Sequence, residues 1–215
     1  MGFATEFASF SPDGQHLAVI IAFGPLLKNP DRATRSALYI TNLDGGGRRQ
    51  LTLFKRPTEA EDHDIAWSPD GTRLVFTRAN TLANPINEQA LFTVGTHGRG
   101  LRRITDWALN AGAPDWSPDG KQIIFQSFFE VPGQAPQVYT VRPDGSHLHQ
   151  VTHDASNGWP DFSPDGRKII FGRYPFSGLG ASHIFTMNTN GVQRHQITSG
   201  FPDQQPAWGT SPPTP

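Results

Sequence analysis

The sequence predicts an all-β fold: a β-propeller of four four-stranded blades followed by the first strand of a fifth. Two markers kept in step predict it. Ser-Pro-Asp-Gly occurs at Ser11–Gly14, Ser68–Gly71, Ser117–Gly120 and Ser163–Gly166, each copy following an aromatic residue, Phe10, Trp67, Trp116 or Phe162. The serines stand 57, 49 and 46 residues apart. An aliphatic residue followed by Thr closes each unit, at Leu51-Thr52, Ile104-Thr105, Val151-Thr152 and Ile197-Thr198. Beside these markers, no segment sustains helical periodicity. Four strands repeated at about 45 residues is the pattern of a propeller rather than of a solenoid or a sandwich.

Within one unit the residues read as a β-meander. Ser-Pro-Asp-Gly suits a tight type I turn, because Pro pre-sets φ, Asp caps and Gly tolerates positive φ. A short apolar strand follows at Leu17–Ala22, Leu74–Thr77, Ile123–Gln126 and Ile169–Gly172. A third strand, aromatic and β-branched, is expected at Leu38–Thr41, Leu91–Val94, Val138–Val141 and Ile184–Met187. It ends in a second turn signal, Asp44-Gly45, His97-Gly98, Asp144-Gly145 or Asn190-Gly191. A polar fourth strand then runs into the aliphatic-Thr marker. The blades are thus expected at about 6–52, 63–105, 112–152 and 158–198, in a single domain over 1–208. Gln205–Trp208 aligns with the start of a fifth, giving an extra strand at 205–208, and the tail 209–215 is expected to be disordered.

Composition sets the outer bounds. The 22 glycines and 19 prolines recur in register with the repeat, so they read as turns rather than disorder. A formal net charge of −1 gives no electrostatic case for nucleic acid. Without cysteine there is no disulfide, thiolate nucleophile or Cys-ligated zinc. The longest apolar run, Leu17–Phe23, is far short of the ~20 residues of a membrane helix, so no membrane insertion is expected. Met1–Phe7 shows neither a basic n-region nor an apolar h-region, so no signal peptide is expected within this chain.

The segments Ala66–Phe76 and Pro114–Phe125, with the copy Pro160–Phe171, resemble the WD40-like repeats of the TolB type. The resemblance covers nearly the whole chain and implies a fold more than a function. Propellers of this type occur as binding proteins, as non-catalytic domains of prolyl-oligopeptidase-like peptidases and in some polysaccharide lyases. It implies a periplasmic or extracytoplasmic home and, by analogy with TolB and peptidoglycan-associated lipoprotein, a cell-envelope partner. It also implies six blades, where this chain has four and the start of a fifth. Three outcomes stay open: a small closed disc, a homodimer completing a larger propeller, or one arc of a longer propeller.

The meander order sorts the loops by face. Turns between first and second strands share a face with those between third and fourth, and both are short. The second-to-third connections and the inter-blade linkers lie opposite and hold all the length variation, which marks that face for binding. Its apolar candidates are Phe128, Phe129, Trp159 and Phe176, suited to a protein partner. Its polar candidates at the channel mouth are Asp62, His63, Asp64, His153, Asp154 and Asp203, with Asp106, Asn110 and Asn157 nearby. Carboxylates with amide oxygens suit a divalent cation such as calcium, although no linear ligand spacing supports one and solvated loop caps are the plainer reading. Asp115 and Asp161, each just before a core aromatic, are read as hydrogen-bonding to neighbouring-blade backbone. His147 and His149 read as an exposed edge, and Gly45-Gly-Gly47 as a hairpin turn rather than a phosphate cradle. The leading functional reading is a non-enzymatic binding module or scaffold. The alternatives are a metal-assisted lyase or hydrolase on a carbohydrate, with His63, Asp64, His153 and Asp154 as its acid–base set, and a non-catalytic propeller fragment of a peptidase-like protein.

Overall fold

The computed structural model describes residues 3–23, 35–52, 61–80, 88–127, 135–174, 182–200, 202–203 and 205–208. They form four antiparallel four-stranded sheets. Blade 1 holds β1 (Phe3–Phe10), β2 (His16–Phe23), β3 (Arg35–Asn42) and β4 (Arg49–Gln50). Blade 2 holds β5 (Glu61–Trp67), β6 (Arg73–Asn80), β7 (Glu88–Gly95) and β8 (Arg102–Arg103). Blade 3 holds β9 (Ala111–Trp116), β10 (Ile123–Ser127), β11 (Val138–Val141) and β12 (His149–Gln150). Blade 4 holds β13 (Ser156–Phe162), β14 (Lys168–Tyr174), β15 (His183–Asn188) and β16 (His195–Gln196). The strand order within each sheet is the sequence order, the meander that the repeat predicts. The first strands pack in series, β1 on β5, β5 on β9 and β9 on β13, so they form the inner wall. β13 does not pack along β1 in that way, and the arc is open.

The core lies between blades rather than within them. Ala18, Ile20, Leu38, Ile40 and Leu51 of blade 1 cluster with Leu74, Phe76 and Val94 of blade 2. Val75, Leu91 and Ile104 of blade 2 meet Trp116, Ile123 and Phe125 of blade 3. Ile124, Val138 and Val151 of blade 3 meet Phe162, Ile169, Phe171 and Met187 of blade 4. Successive side chains of a strand point to opposite faces. That is why each second strand is apolar without alternation: Leu74 and Phe76 face one neighbour while Val75 faces the other.

Both sequence markers have a structural role. In each Ser-Pro-Asp-Gly turn the Gly N–H donates to the Ser carbonyl, at 2.8–2.9 Å. The Ser hydroxyl donates to Asp Oδ1, at 2.5 to 2.7 Å. The same hydroxyl accepts the N–H five residues on, at 2.9 Å in all four copies. In the closing marker the Thr hydroxyl accepts the N–H of Leu38, Leu91, Val138 or Ile184, taking over where a two-residue fourth strand runs out.

The aliphatic residue of that marker is the contact point for the next blade. A Cβ on Gly145, in the β11–β12 turn, would lie 3.0 Å from the Ile104 carbonyl oxygen of blade 2, and one on Gly191 would come closer still to that of Val151. The prolines of the first turns do the same work more loosely, Pro69 against Gly120 and Pro118 against Gly166.

At the ends of the arc these contacts are missing. A Cβ on Gly14 or on Gly45 of blade 1 would meet nothing within 4 Å. Phe10 is 68% exposed while its counterpart Phe162 is 5% exposed; Ile197 is 54% exposed while Val151 is 4% exposed. Residues 205–208 join no sheet among the described residues, because a strand needs a ladder partner, and Gln205 has a left-handed φ of 55°. They nonetheless hold a fifth-blade position. Trp208 N–H donates to Asp161 Oδ2 at 2.9 Å, as Phe162 N–H donates to Asp115 Oδ2 at 3.0 Å one blade earlier.

Two predictions follow from these contacts. Gly45 and Gly191 share a left-handed φ of 80° and 81°, but only Gly191 abuts another blade. Gly45→Ala is expected to cost about 1 kcal/mol from backbone strain alone, and Gly191→Ala about 2 kcal/mol more as the blades are forced apart. Urea unfolding of the two variants measures the difference. The second concerns acid. Hydrogen bonds from Ser11, Ser68, Ser117 and Ser163 are the main cause that holds Asp13, Asp70, Asp119 and Asp165 below the ordinary carboxylate value of 3.8. A lowered folded pKa adds stability that is present above the unfolded value and lost as pH falls through the folded one. Stability should therefore decline below about pH 4, and combined Ser117→Ala and Ser163→Ala should flatten that decline in melts between pH 5 and 2.5.

Candidate functional site

The polar residues assigned to the channel mouth do not converge. Asp62, His63 and Asp64 lie inside β5 rather than in a linker, because β5 pairs with β6 as far as Glu61↔Ala79. Asp62 is buried, 1% exposed, and holds Arg78 through one guanidinium edge, Nε to Oδ1 at 2.6 Å and Nη2 to Oδ2 at 3.0 Å. It also accepts the Thr52 hydroxyl at 2.9 Å, and its backbone N–H donates to Ser36 Oγ at 2.6 Å. Arg78 lies over Phe76 and Phe92, at 5.3 and 5.0 Å from the ring centres. This is a dry, bidentate clasp of blade 1 to blade 2.

The other candidates are engaged separately. His63 stands edge-on to Phe7 of blade 1 and 3.8 Å from Glu61. Asp64 adopts a left-handed φ of 41°, and its Oδ2 accepts Ala113 N–H of blade 3 at 3.1 Å. Asp154 bonds Arg173 Nη2 at 2.8 Å and also Arg194. Desolvation pulls its carboxyl upward, but these two guanidinium groups outweigh it and hold it below 3.8. His153 is exposed beyond β12. Asp203 donates its N–H to the Ser182 carbonyl at 2.9 Å. Among the described residues no group of three or more His, Cys, Asp or Glu is placed to hold a metal ion, so the expected calcium set does not assemble from them.

Of the apolar candidates, Phe128, Phe129 and Phe176 lie outside the described residues. Trp159 is in β13 rather than a linker. It is half-buried, with φ 53° and its N–H on Gln126 Oε1 at 2.6 Å. Its left-handed backbone repeats at Asp64, Ala113 and Gln205, the same place in successive inner strands, where β5 and β13 carry register shifts. Asp106 caps the short 3-10 turn Trp107–Leu109, and Asn110 Oδ1 accepts Gln89 N–H. Asp115 and Asp161 adjoin on neighbouring inner strands. Desolvation first, then the hydrogen bond and charge of Asp161, push the Asp115 carboxyl well above 3.8 and favour its protonated form.

Two features escaped the sequence reading. One is the arginine set, Arg78, Arg173 and Arg194; the recurrence of Arg two residues after the core Phe, at Phe76/Arg78 and Phe171/Arg173, was the available signal. The other is a cleft of about 660 Å³ on the short-turn face between blades 1 and 2, lined by His16, Arg49, Trp67, Asp70 and His97 among others. Arg49 Nη1 lies 3.1 Å from His97 Nδ1 across that gap.

The Asp62–Arg78 clasp is open to a direct test. Asp62→Ala should strand a buried guanidinium and cost about 3–5 kcal/mol, whereas Asp62→Ala with Arg78→Met should cost less than the single change. Asp154→Asn, on a half-exposed pair, should cost under about 1 kcal/mol. Thermal or urea denaturation of the three variants reads the order.

Comparison with known proteins agrees with this architecture. Residues 8–213 match the TolB beta propeller domain family. An uncharacterized protein of Agrobacterium fabrum is 32% identical over 167 residues, 74% of this chain and 48% of that protein. TolB from Acinetobacter baumannii superposes with a TM-score of 0.65 at 22% identity, over 91% of this chain and 43% of TolB. A puromycin-hydrolyzing peptidase of Mycobacterium tuberculosis gives 0.68 at 18% identity, over 92% of this chain and 32% of the peptidase. The chain thus spans less than half the length of each of these proteins. Open four-bladed arc, paired repeat markers and matched residues together place the chain in the TolB beta propeller domain family.

Proposed function

We propose that the chain is a non-enzymatic binding propeller that engages another protein through the face bearing the second-to-third connections and the inter-blade linkers. The observation that supports it best is topological. β2, β6, β10 and β14 all end, and β3, β7, β11 and β15 all begin, at the edge opposite the regular Ser-Pro-Asp-Gly turns. The connections at that edge, 24–34, 81–87, 128–137 and 175–182, differ in length and composition, while the opposite turns repeat almost residue for residue. Variation confined to one rim of a repeat scaffold is how such folds carry recognition. Asp62 and Asp154 are bound to arginines that tie strands together, so their carboxylates serve architecture. A protein partner fits the apolar residues that the connections carry, and the family points to the cell envelope as the place to look.

The test is a face-specific capture experiment with immobilised chain and a cell-envelope extract. Phe128→Ser, Phe129→Ser and Phe176→Ser together should abolish the capture of a partner without moving the melting midpoint. Leu43→Ser with Leu148→Ser, on the short-turn face, should leave capture intact. If the short-turn variant loses the partner instead, or both retain it, the face is misassigned.

A further inference from the structure

The three blade junctions carry different charges on the short-turn face. Arg49, Arg102 and His149 hold one place in their fourth strands, opposite Ile40, Thr93 and Thr140. The residue ahead of the turn glycine in the following blade is His97, Asp144 or Asn190. Between blades 2 and 3 these charges are complementary: Ser146 foremost, then Arg102 and Arg142, hold the Asp144 carboxyl below 3.8. Between blades 1 and 2 a histidine stands in place of that carboxylate. Arg49 Nη1 lies 3.1 Å from His97 Nδ1. A guanidinium only donates, so His97 Nδ1 accepts and its ring N–H is on Nε2. Among the described residues no carboxylate comes within ion-pair reach of Arg49, and its other N–H groups are unspent.

This cation opens on the cleft of about 660 Å³ between the two blades, a volume within the roughly 300–1,000 Å³ of small-ligand sites. Ile40, Trp67 and Pro12 supply its apolar surface. Trp67 is half-buried, and its indole N–H donates to the Ser9 carbonyl at 3.0 Å, which fixes the ring. The turn that carries His97 is held as well, because Thr96 N–H donates to the Thr72 carbonyl at 3.0 Å. Asp13 and Asp70 line the inner end, in the first turns of their blades, each accepting its own Ser hydroxyl. Their charge repels an anion there and leaves the outer end, at Arg49, as its seat. The cleft between blades 2 and 3, about 470 Å³, is lined by Asp70, Arg73 and Asp119 and has no counterpart of the Arg49–His97 pair in its walls.

We propose that the cleft between blades 1 and 2 binds a small organic acid, with its carboxylate on Arg49, which His97 positions, and its ring on Trp67. Charge and apolar surface are both required. The guanidinium supplies parallel N–H donors to the carboxylate, and the fixed indole and Ile40 take the ring out of water. This site lies on the face opposite the variable connections, so it is independent of a partner held there.

The test is a titration of the ¹⁵N-labelled chain with phenylacetate, followed through backbone and indole N–H shifts. Saturable shifts are expected at Arg49, His97 and Trp67. Phenylacetamide, which lacks the charge, and acetate, which lacks the ring, should each bind at least about tenfold more weakly. Arg49→Gln should weaken phenylacetate by a similar factor. His97→Asn keeps a neutral acceptor beside Arg49 and should retain binding, whereas His97→Asp supplies an internal carboxylate and should abolish it. All three changes are at exposed positions and should leave the melting midpoint in place. Phenylacetamide equal to phenylacetate would overturn the proposal, as would acetate equal to it. So would His97→Asp binding as well as His97→Asn, or shifts that are absent or gather at Trp116 instead.

Discussion

Second strands that are apolar on both faces impose the constraint from which the rest of this structure follows. β6 sends Leu74 and Phe76 toward blade 1 and Val75 toward blade 3, and β10 repeats the arrangement with Ile123, Phe125 and Ile124. A single four-stranded sheet cannot bury both faces of such a strand, so no blade here has a core of its own. Stability resides in the junctions. The turns are shaped for the same purpose: Gly145 and Gly191 have no side chain because the carbonyl of the preceding blade occupies the space. The Thr hydroxyl that accepts a third-strand N–H lets the fourth strand stop after two residues, which frees the adjacent aliphatic side chain to face the next blade.

The architecture was legible in the sequence because its determinants are local. Ser-Pro-Asp-Gly makes its turn from its own hydroxyl, carboxylate and backbone, and the aliphatic-Thr marker bonds to a strand 14 residues away. Such signals survive without knowledge of the tertiary fold. The places of the second and third strands and the meander order could be read from them directly, and so could the hydrogen bonds of Asp115 and Asp161 to the next blade; the inner strands begin earlier than the markers suggest.

The side-chain chemistry was not legible to the same degree, because it is written across blades. Asp62 looks like a channel ligand when seen beside His63 and Asp64, three polar residues in a row. In the fold successive residues of β5 go to different neighbours: Asp62 to Arg78 and Thr52, His63 to Phe7, Asp64 to the backbone of Ala113. Adjacency along a strand separates side chains rather than gathering them. Asp154 was misread for a related reason, since Arg194 is 40 residues distant and Arg173 is 19. The inter-blade cleft between His16, Arg49 and His97 likewise exists only once two blades are docked.

The end blades separate two roles that the repeat otherwise merges. Phe10 and Phe162 have the same place in their motifs and the same aromatic character, yet one is open to solvent and the other enclosed, and only the presence of a preceding blade distinguishes them. Exposure at Phe10 and Ile197 therefore belongs to the blade-stacking direction, around the ring. The second-to-third connections attach at the strand edge opposite the Ser-Pro-Asp-Gly turns. The stacking contacts thus draw on residues of the repeat itself, apart from the edge at which those connections attach. A change at Gly191 acts on the packing of blade on blade, because the Val151 carbonyl occupies the space that a side chain would need. That separation is the reason one propeller scaffold can host unrelated activities, and why the stacking residues, which dominate the repeat, carry so little information about the ligand.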